Sequence, residues 1–311
     1  MPAFFKVVLT LLLLTSFTCV HAQTQTPSES KDLPRAKTVQ FPVDGGQPYP
    51  PALKTVGNKV VDSAGNEVWL QGLNVPSLGW SVHGGHRVIT QKTLFAMPET
   101  GIGLFPDVGG GWYLARLGGR IGQFLALTGA RLDGSECLWA GIATHYLPAD
   151  KLAEAKARIA ENPDRIGGIL SELSVTPPKA RIEENCDRIN KHFASDRYED
   201  ILASLEADDS EWAAKELATL RTKSPQTCKV ALRQLAESEK LDNFADNMRM
   251  EYRIASRVLT RPDFAEGVRA VIVDKTHDPK WNPATAEEVS EELIDSIFAP
   301  LPDGEEWTPL K

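Results

Sequence analysis

The chain has 311 residues, of which 42% are hydrophobic and 24% charged, with a formal net charge of -8. That length allows one large or two ordinary domains, and the balance suggests neither a disordered chain nor a polytopic membrane protein. The acidic excess argues against a general nucleic-acid binder, which needs clustered Lys and Arg to neutralise phosphates. A polyanionic ligand would have to be met by a few placed cations and by helix N-termini.

In chain order, Lys6 precedes the apolar run Val7 to Leu14, and Val20-His21-Ala22 offers a small-residue cleavage site before Gln23. This predicts a signal peptide over residues 1–22, an exported (secreted or periplasmic) protein, and no membrane span after cleavage. Thr18, where lipoprotein signals carry a smaller residue, argues against lipidation of Cys19. The remaining cysteines, Cys137, Cys186 and Cys228, are odd in number and widely spaced, which fits neither a disulfide framework nor a zinc site. Residues 23–56 are rich in Ser, Thr, Gln and Pro and read as a linker. Within residues 57–80, the β-prone runs Lys59 to Asp62 and Glu67 to Leu70 flank the turn cluster Ser63 to Asn66, predicting a hairpin.

Beyond Trp80 the pattern becomes α/β. Arg87 to Thr90 and Thr93 to Ala96 read as strands, Gly109-Gly110-Gly111 leads into a helical run from Trp112 to Arg116, and Ile121 to Thr128 and Asp133 to Ala140 read as helices. Gly141-Ile142-Ala143 is expected as a buried connection. From Asp150 helices dominate: Lys151 to Glu161, Ala180 to Phe193, Ser210 to Arg221, Pro225 to Lys240 and Asn243 to Leu259. The stripe Met250, Ile254, Val258 should pack the last of these onto the α/β part. Pro177-Pro178 and Arg261-Pro262 separate segments, and no repeat of solenoid length is present.

The chemistry concentrates between Met97 and Gly119. Glu99 follows Pro98 at the end of a strand-like run and Asp107 lies eight positions later, before the glycines. Two carboxylates sharing one pocket split their pKa values, so that one can act as base or nucleophile while the other binds or donates. Spacing alone equally allows a loop carboxylate and a helix N-cap. Gly109, Gly110 and Gly111 could let backbone amides approach an anion, or could simply allow close helix packing. His83 and His86 have no Gly-x-Ser-x-Gly elbow beside them and read as surface histidines. Lys275 and Trp281 could meet a nucleotide by charge and stacking, or be a solvated Lys and a core Trp.

The segments SVHGGHRVITQKTLFA, MPETGIGLFPDVGGGWYLARLGG, LALTGARLDGSECLWAGIATHYLP and RPDFAEGVRAVIVDKTHDPKWNP occur in this order. Together they resemble the 3-hydroxyisobutyryl-CoA hydrolases of the crotonase superfamily over residues 81–311. The resemblance implies a truncated crotonase-like β/α core with a helical C-terminal region, an intracellular family, an acyl-CoA substrate, and thioester hydrolysis in valine breakdown. It implies no metal and no separate cofactor, since CoA belongs to the substrate, and it is compatible with an oligomer. Glu99 matches the family's catalytic carboxylate, acting on the thioester carbonyl or its attacking water. Asp107 matches the residue that contacts the 3-hydroxyl end. Gly109, Gly110 and Lys275 fall where CoA would be bound.

The chain also departs from that pattern. The family holds the developing oxyanion with one amide from an early loop and another from a glycine-rich segment just before the position of Ser81, whereas here Asn74-Val75-Pro76-Ser77-Leu78-Gly79-Trp80 stands in its place. Residues 57–78 resemble instead the entry strand of a family-five glycoside hydrolase, without the paired carboxylates that chemistry needs. A fusion of two partial genes is the expectation. The rival readings are a catalytically inactive exported protein and an enoyl-CoA hydratase-like enzyme.

Overall fold

The computed structural model describes residues 54–56, 59–61 and 86–308. The expected signal peptide, most of the linker and Glu67 to Leu70 lie outside them. The strand Lys59–Val61 (β2) pairs antiparallel with Lys54–Val56 (β1), Lys54 facing Val61. The strand Lys54–Val56 falls at the end of the stretch read as linker.

The α/β part is built from strands only two residues long. Val88–Ile89 (β3) runs parallel to His145–Tyr146 (β6), and Leu94–Phe95 (β4) antiparallel to Leu132–Asp133 (β5). Both predicted strand runs are therefore present, shortened by the turn in which Thr93 N donates to Thr90 O. The helix Ile121–Thr128 is buried along its whole length. Gly134–Trp139 opens with a capping box, Asp133 and Glu136 each accepting from the other's backbone amide. Of the expected buried connection, Ile142 and Ala143 are buried and Gly141 is exposed.

The helical region follows its capping residues. Ser210 caps Glu211–Leu220, Ser224 caps Pro225–Glu239 with Pro225 at the first position, and Asn243 caps Phe244–Val258. The predicted helix from Ala180 to Phe193 is instead a 3-10 turn, Arg181–Asn185, continuing as Cys186–His192. Helices also form at Leu152–Glu161, Ile166–Leu173, Tyr198–Glu206, Pro262–Gly267 and Glu291–Phe298. No helix among the described residues is long and apolar enough to cross a membrane.

Three apolar clusters hold these elements. The largest joins Phe95, Ile121, Leu125 and Leu127 to Phe193, Ile201, Leu232 and Leu235. A second packs Leu104 and Phe105 against Val230, Met250, Ile254 and Val258. The third covers Val88 and Leu147 with Ile169, Leu170 and Leu173. The Met250 stripe thus rests on Leu104 and Phe105, between the two acidic residues singled out in the sequence. Burying such side chains contributes roughly 1.5–3 kcal/mol each, so this contact fixes the segment between Glu99 and Asp107.

Candidate active site

Glu99 opens a 3-10 turn, Glu99–Ile102, that ends on Gly103 in the left-handed conformation. The turn is tied down from several sides. Thr100 Oγ1 donates to the carbonyl of Leu127 at 3.1 Å, and Ser224 N donates to Thr100 O at 3.0 Å. Beneath it, a Cβ built on Gly103 would lie 2.3 Å from Asp263 O, and one on Gly267 would lie 2.3 Å from Ile102 O. The Pro262–Gly267 helix therefore meets the turn backbone to backbone.

Asp107 is brought back toward Glu99 by the buried pair Leu104 and Phe105. After it the chain makes an unusual bend: Val108 has φ 51° and Gly109 φ 85°. A left-handed β-branched residue is a strained conformation, held only where the surroundings over-determine it. The bend starts the helix Gly110–Leu114, and its amides have partners within the chain. Gly110 N donates to Asp107 O at 2.7 Å, Gly109 N to Glu251 Oε2 at 2.8 Å, and Gly111 N to Glu251 Oε1 at 3.1 Å. The same Glu251 oxygen accepts from Asn247 Nδ2 at 2.9 Å and Gln234 Nε2 at 3.2 Å. The helix N-cap is Gly109, and Asp107 does not cap it. The glycine amides that could have received a bound anion are engaged within the chain, two by the Glu251 carboxylate and that of Gly110 by the Asp107 carbonyl.

Burial pushes the Glu99 carboxyl well above the usual carboxylate range, and the nearby charge of Asp107 raises it further; its own backbone amide and Lys223 pull it partly back. Its Oε2 is buried and has no hydrogen-bond partner among the described residues. Burial also raises Asp107, to about 6, and Glu251, to about 7. Both carboxyls are therefore held above the ordinary carboxylate range, and the Asp107 charge opposes the ionisation of Glu99. Lys223 is the cation of the site: an added methyl at Gly101 would lie 3.4 Å from its Nζ, and burial lowers its pKa.

Since the folded state keeps a proton on Asp107 up to about pH 6, whereas the ordinary value is 3.8, its contribution to stability is complete below pH 4. It is lost as pH rises toward 7. Asp107→Asn should remove this loss. In urea titrations, the variant should gain on the parent by roughly 2–3 kcal/mol between pH 4 and pH 7. Parallel stability curves over that range would contradict the assignment.

Lys275 is exposed and has φ 56°. Trp281 is half-buried, its Nε1 donating to Thr222 O at 3.0 Å. His86 is half-buried and meets His145 edge to face at 5.0 Å, while His83 lies outside the described residues. Sequence reasoning missed Lys223, Gln234, Asn247 and Glu251. One signal was available for the last two: Asn247, Glu251, Ile254 and Val258 fall at i, i+4, i+7 and i+11, so a carboxylate sits in phase with the buried stripe. Such a group needs buried partners.

Comparison with known proteins shows the family of the chain. The enoyl-CoA hydratase/isomerase family profile matches residues 76–298. The mitochondrial 3-hydroxyisobutyryl-CoA hydrolases of Gallus gallus and Homo sapiens are each 43% identical over 233 residues, 72% of this chain and 60% of theirs. The Dictyostelium discoideum protein of the same name is 39% identical over 236 residues. The chain thus spans about 60% of the length of the curated relatives it matches. Among solved structures, a carnitinyl-CoA dehydratase from Mycobacterium thermoresistibile superposes with a TM-score of 0.67 at 35% identity, covering 74% of this chain and 66% of that one. An enoyl-CoA hydratase from Rhodobacter sphaeroides does so with 0.67 at 34%, covering 75% and 67%. The glycoside hydrolase resemblance of residues 57–78 is not borne out. With a core of crotonase type and a family profile matched over most of its length, the chain belongs to the enoyl-CoA hydratase/isomerase family.

Proposed function

We propose that the chain hydrolyses an acyl-CoA thioester, 3-hydroxyisobutyryl-CoA, to the free acid and CoA, as in valine breakdown. The observation that carries this reading is the Glu99 and Asp107 pair, two neighbouring carboxyls on one tied-down segment, both with raised proton affinities. Water adds to the thioester carbonyl, the C–S bond breaks, and the proton from water ends on the thiol of CoA. Glu99 suits the proton-handling role because a carboxyl held neutral in a dry site can donate to the leaving sulfur, and its ionised form can accept from water. Asp107, when ionised, can accept a hydrogen bond from the 3-hydroxyl. Lys275, exposed on the C-terminal motif, is available to CoA phosphates. Gly109 and Gly110 contribute through the close approach they allow, since their amides are already engaged. Neither a metal nor a separate cofactor is needed for these steps.

The test is release of free thiol from 3-hydroxyisobutyryl-CoA by the purified protein, with hydration of a 2-enoyl-CoA as the second substrate. Residues 74–80 lack the glycine-rich run that carries an oxyanion donor in the resembling family. Turnover should therefore be at least about a hundredfold below an intact relative, the usual effect of one lost donor. No thiol release above background would overturn the proposal. Hydration without thiol release would assign the hydratase reaction instead.

A further inference from the structure

We propose that Glu251 is the positioning residue of the carboxylate pair: from a helix far along the chain, its carboxylate clamps the turn that carries Asp107 and so sets where Asp107 stands against Glu99. The inference rests on the reading of Glu99 and Asp107 as the reacting pair. Glu251 is 3% exposed, so it acts through the turn and not on a substrate. Its two oxygens accept four hydrogen bonds, two of them from the amides of Gly109 and Gly111, and Gln234 ties the other end of the same segment by donating to Pro106 O at 2.7 Å.

Two further observations support the clamp. First, Val108, a left-handed β-branched residue, sits between Asp107 and the clamped amide of Gly109. Such a bend costs on the order of 1–3 kcal/mol and relaxes unless something outside it holds it. The Glu251 carboxylate is the group in place to do so. Second, an apolar side chain at a buried helical position usually stabilises as much as a buried acid or more. An acid whose bonds converge on one turn is therefore better explained by the geometry it imposes than by stability alone. Asp107 is the charged group whose field acts on Glu251; Gln234, Asn247 and the glycine amides around it are neutral.

The experiment titrates the Asp107 side-chain carbon by NMR in the full chain and follows thiol release in parallel, for the parent and Glu251→Gln. The amide matches the carboxylate in size but turns one acceptor into a donor facing the glycine amides. Release of the turn should hydrate Asp107 and lower its midpoint from about 6 by about one pH unit. The turnover number should fall at least about tenfold with KM changed less than about threefold, the pattern of a misplaced reacting group. A folded variant whose Asp107 midpoint stays within about 0.3 units of the parent overturns the proposal, and so does a shift that Asn247→Ala, which removes a donor to Glu251 and no charge, fails to reproduce in the same direction. If Glu251→Gln does not fold, Asn247→Ala, which removes one of the four donors, should give a smaller shift in the same direction; no shift there overturns it equally. A parent protein without thiol release would sink the hydrolase reading, while the titration would still decide the clamp.

Discussion

Glu99→Gln should reduce thioester turnover by at least about a thousandfold, to the background of uncatalysed hydrolysis, while leaving the fold in place. The expected size follows from the role. A positioned proton-transfer group contributes typically 10²–10⁴-fold, and no other carboxyl stands ready to take over, because Asp107 sits at the far end of the turn and Glu251 is saturated with donors. The fold should survive because burial and the charge of Asp107 already hold Glu99 in its neutral form. A neutral amide of the same size therefore changes little in the folded state. Glu99 Oε2 lacks a hydrogen-bond partner among the described residues, so no hydrogen bond is lost there. Thermal unfolding should show an unchanged or slightly raised midpoint. Turnover within tenfold of the parent would show that the reaction does not pass through this carboxyl.

Gly267→Ala should destabilise the protein by about 3 kcal/mol, at the upper end of the range for overpacked sites. The added methyl would fall 2.3 Å from both the carbonyl carbon and oxygen of Ile102 and 2.5 Å from its Cα. These are backbone atoms and cannot rotate away, unlike the end of a side chain. Gly103, one residue further, meets Asp263 O at the same separation from the other side and has φ 70°, so the turn has no easy direction in which to yield. Denaturant unfolding with a lowered midpoint and an unchanged slope is the expected result. A loss below about 1 kcal/mol would mean that the two segments separate at little cost.

Most of the helical frame was legible in the sequence because its stop and start signals are local. Ser210, Ser224 with Pro225, and Asn243 each stand one residue before a helix and cap it, and the Met250 stripe shows its buried face by spacing alone. The helix Ile166–Leu173 was missed although Ile166, Ile169, Leu170 and Leu173 have helical spacing, because Gly167 and Gly168 interrupt the run with poor helix formers. The break at Cys186 within the expected helix from Ala180 to Phe193 was likewise invisible. Ile182 N donates there to Glu136 Oε1 at 3.2 Å, a contact made across 46 residues.

The site divides in the same way. Glu99 and Asp107 could be singled out because Pro98, Pro106 and the glycines frame them within a dozen positions. Burial and the neighbouring carboxylate raise their proton affinities, Lys223 offsets part of that rise, and the bend at Val108 is held by Gln234, Asn247 and Glu251. Their place depends on tertiary packing, which no local pattern encodes. For Glu251 the phase of its helix could still have raised suspicion.

The bond from Gly109 to Glu251 spans 142 residues, and this separation orders events at the ribosome. At roughly 5–20 residues per second, about 7–30 seconds pass between synthesis of the turn and synthesis of the acid that holds it. Throughout that interval the nascent turn is free to leave its left-handed bend, and Asp107 has no fixed position. The helices that precede it can form early from their own short-range contacts, but the reacting geometry must wait for the Phe244–Val258 helix to emerge and dock. The position of Asp107 is therefore among the last features this polypeptide acquires.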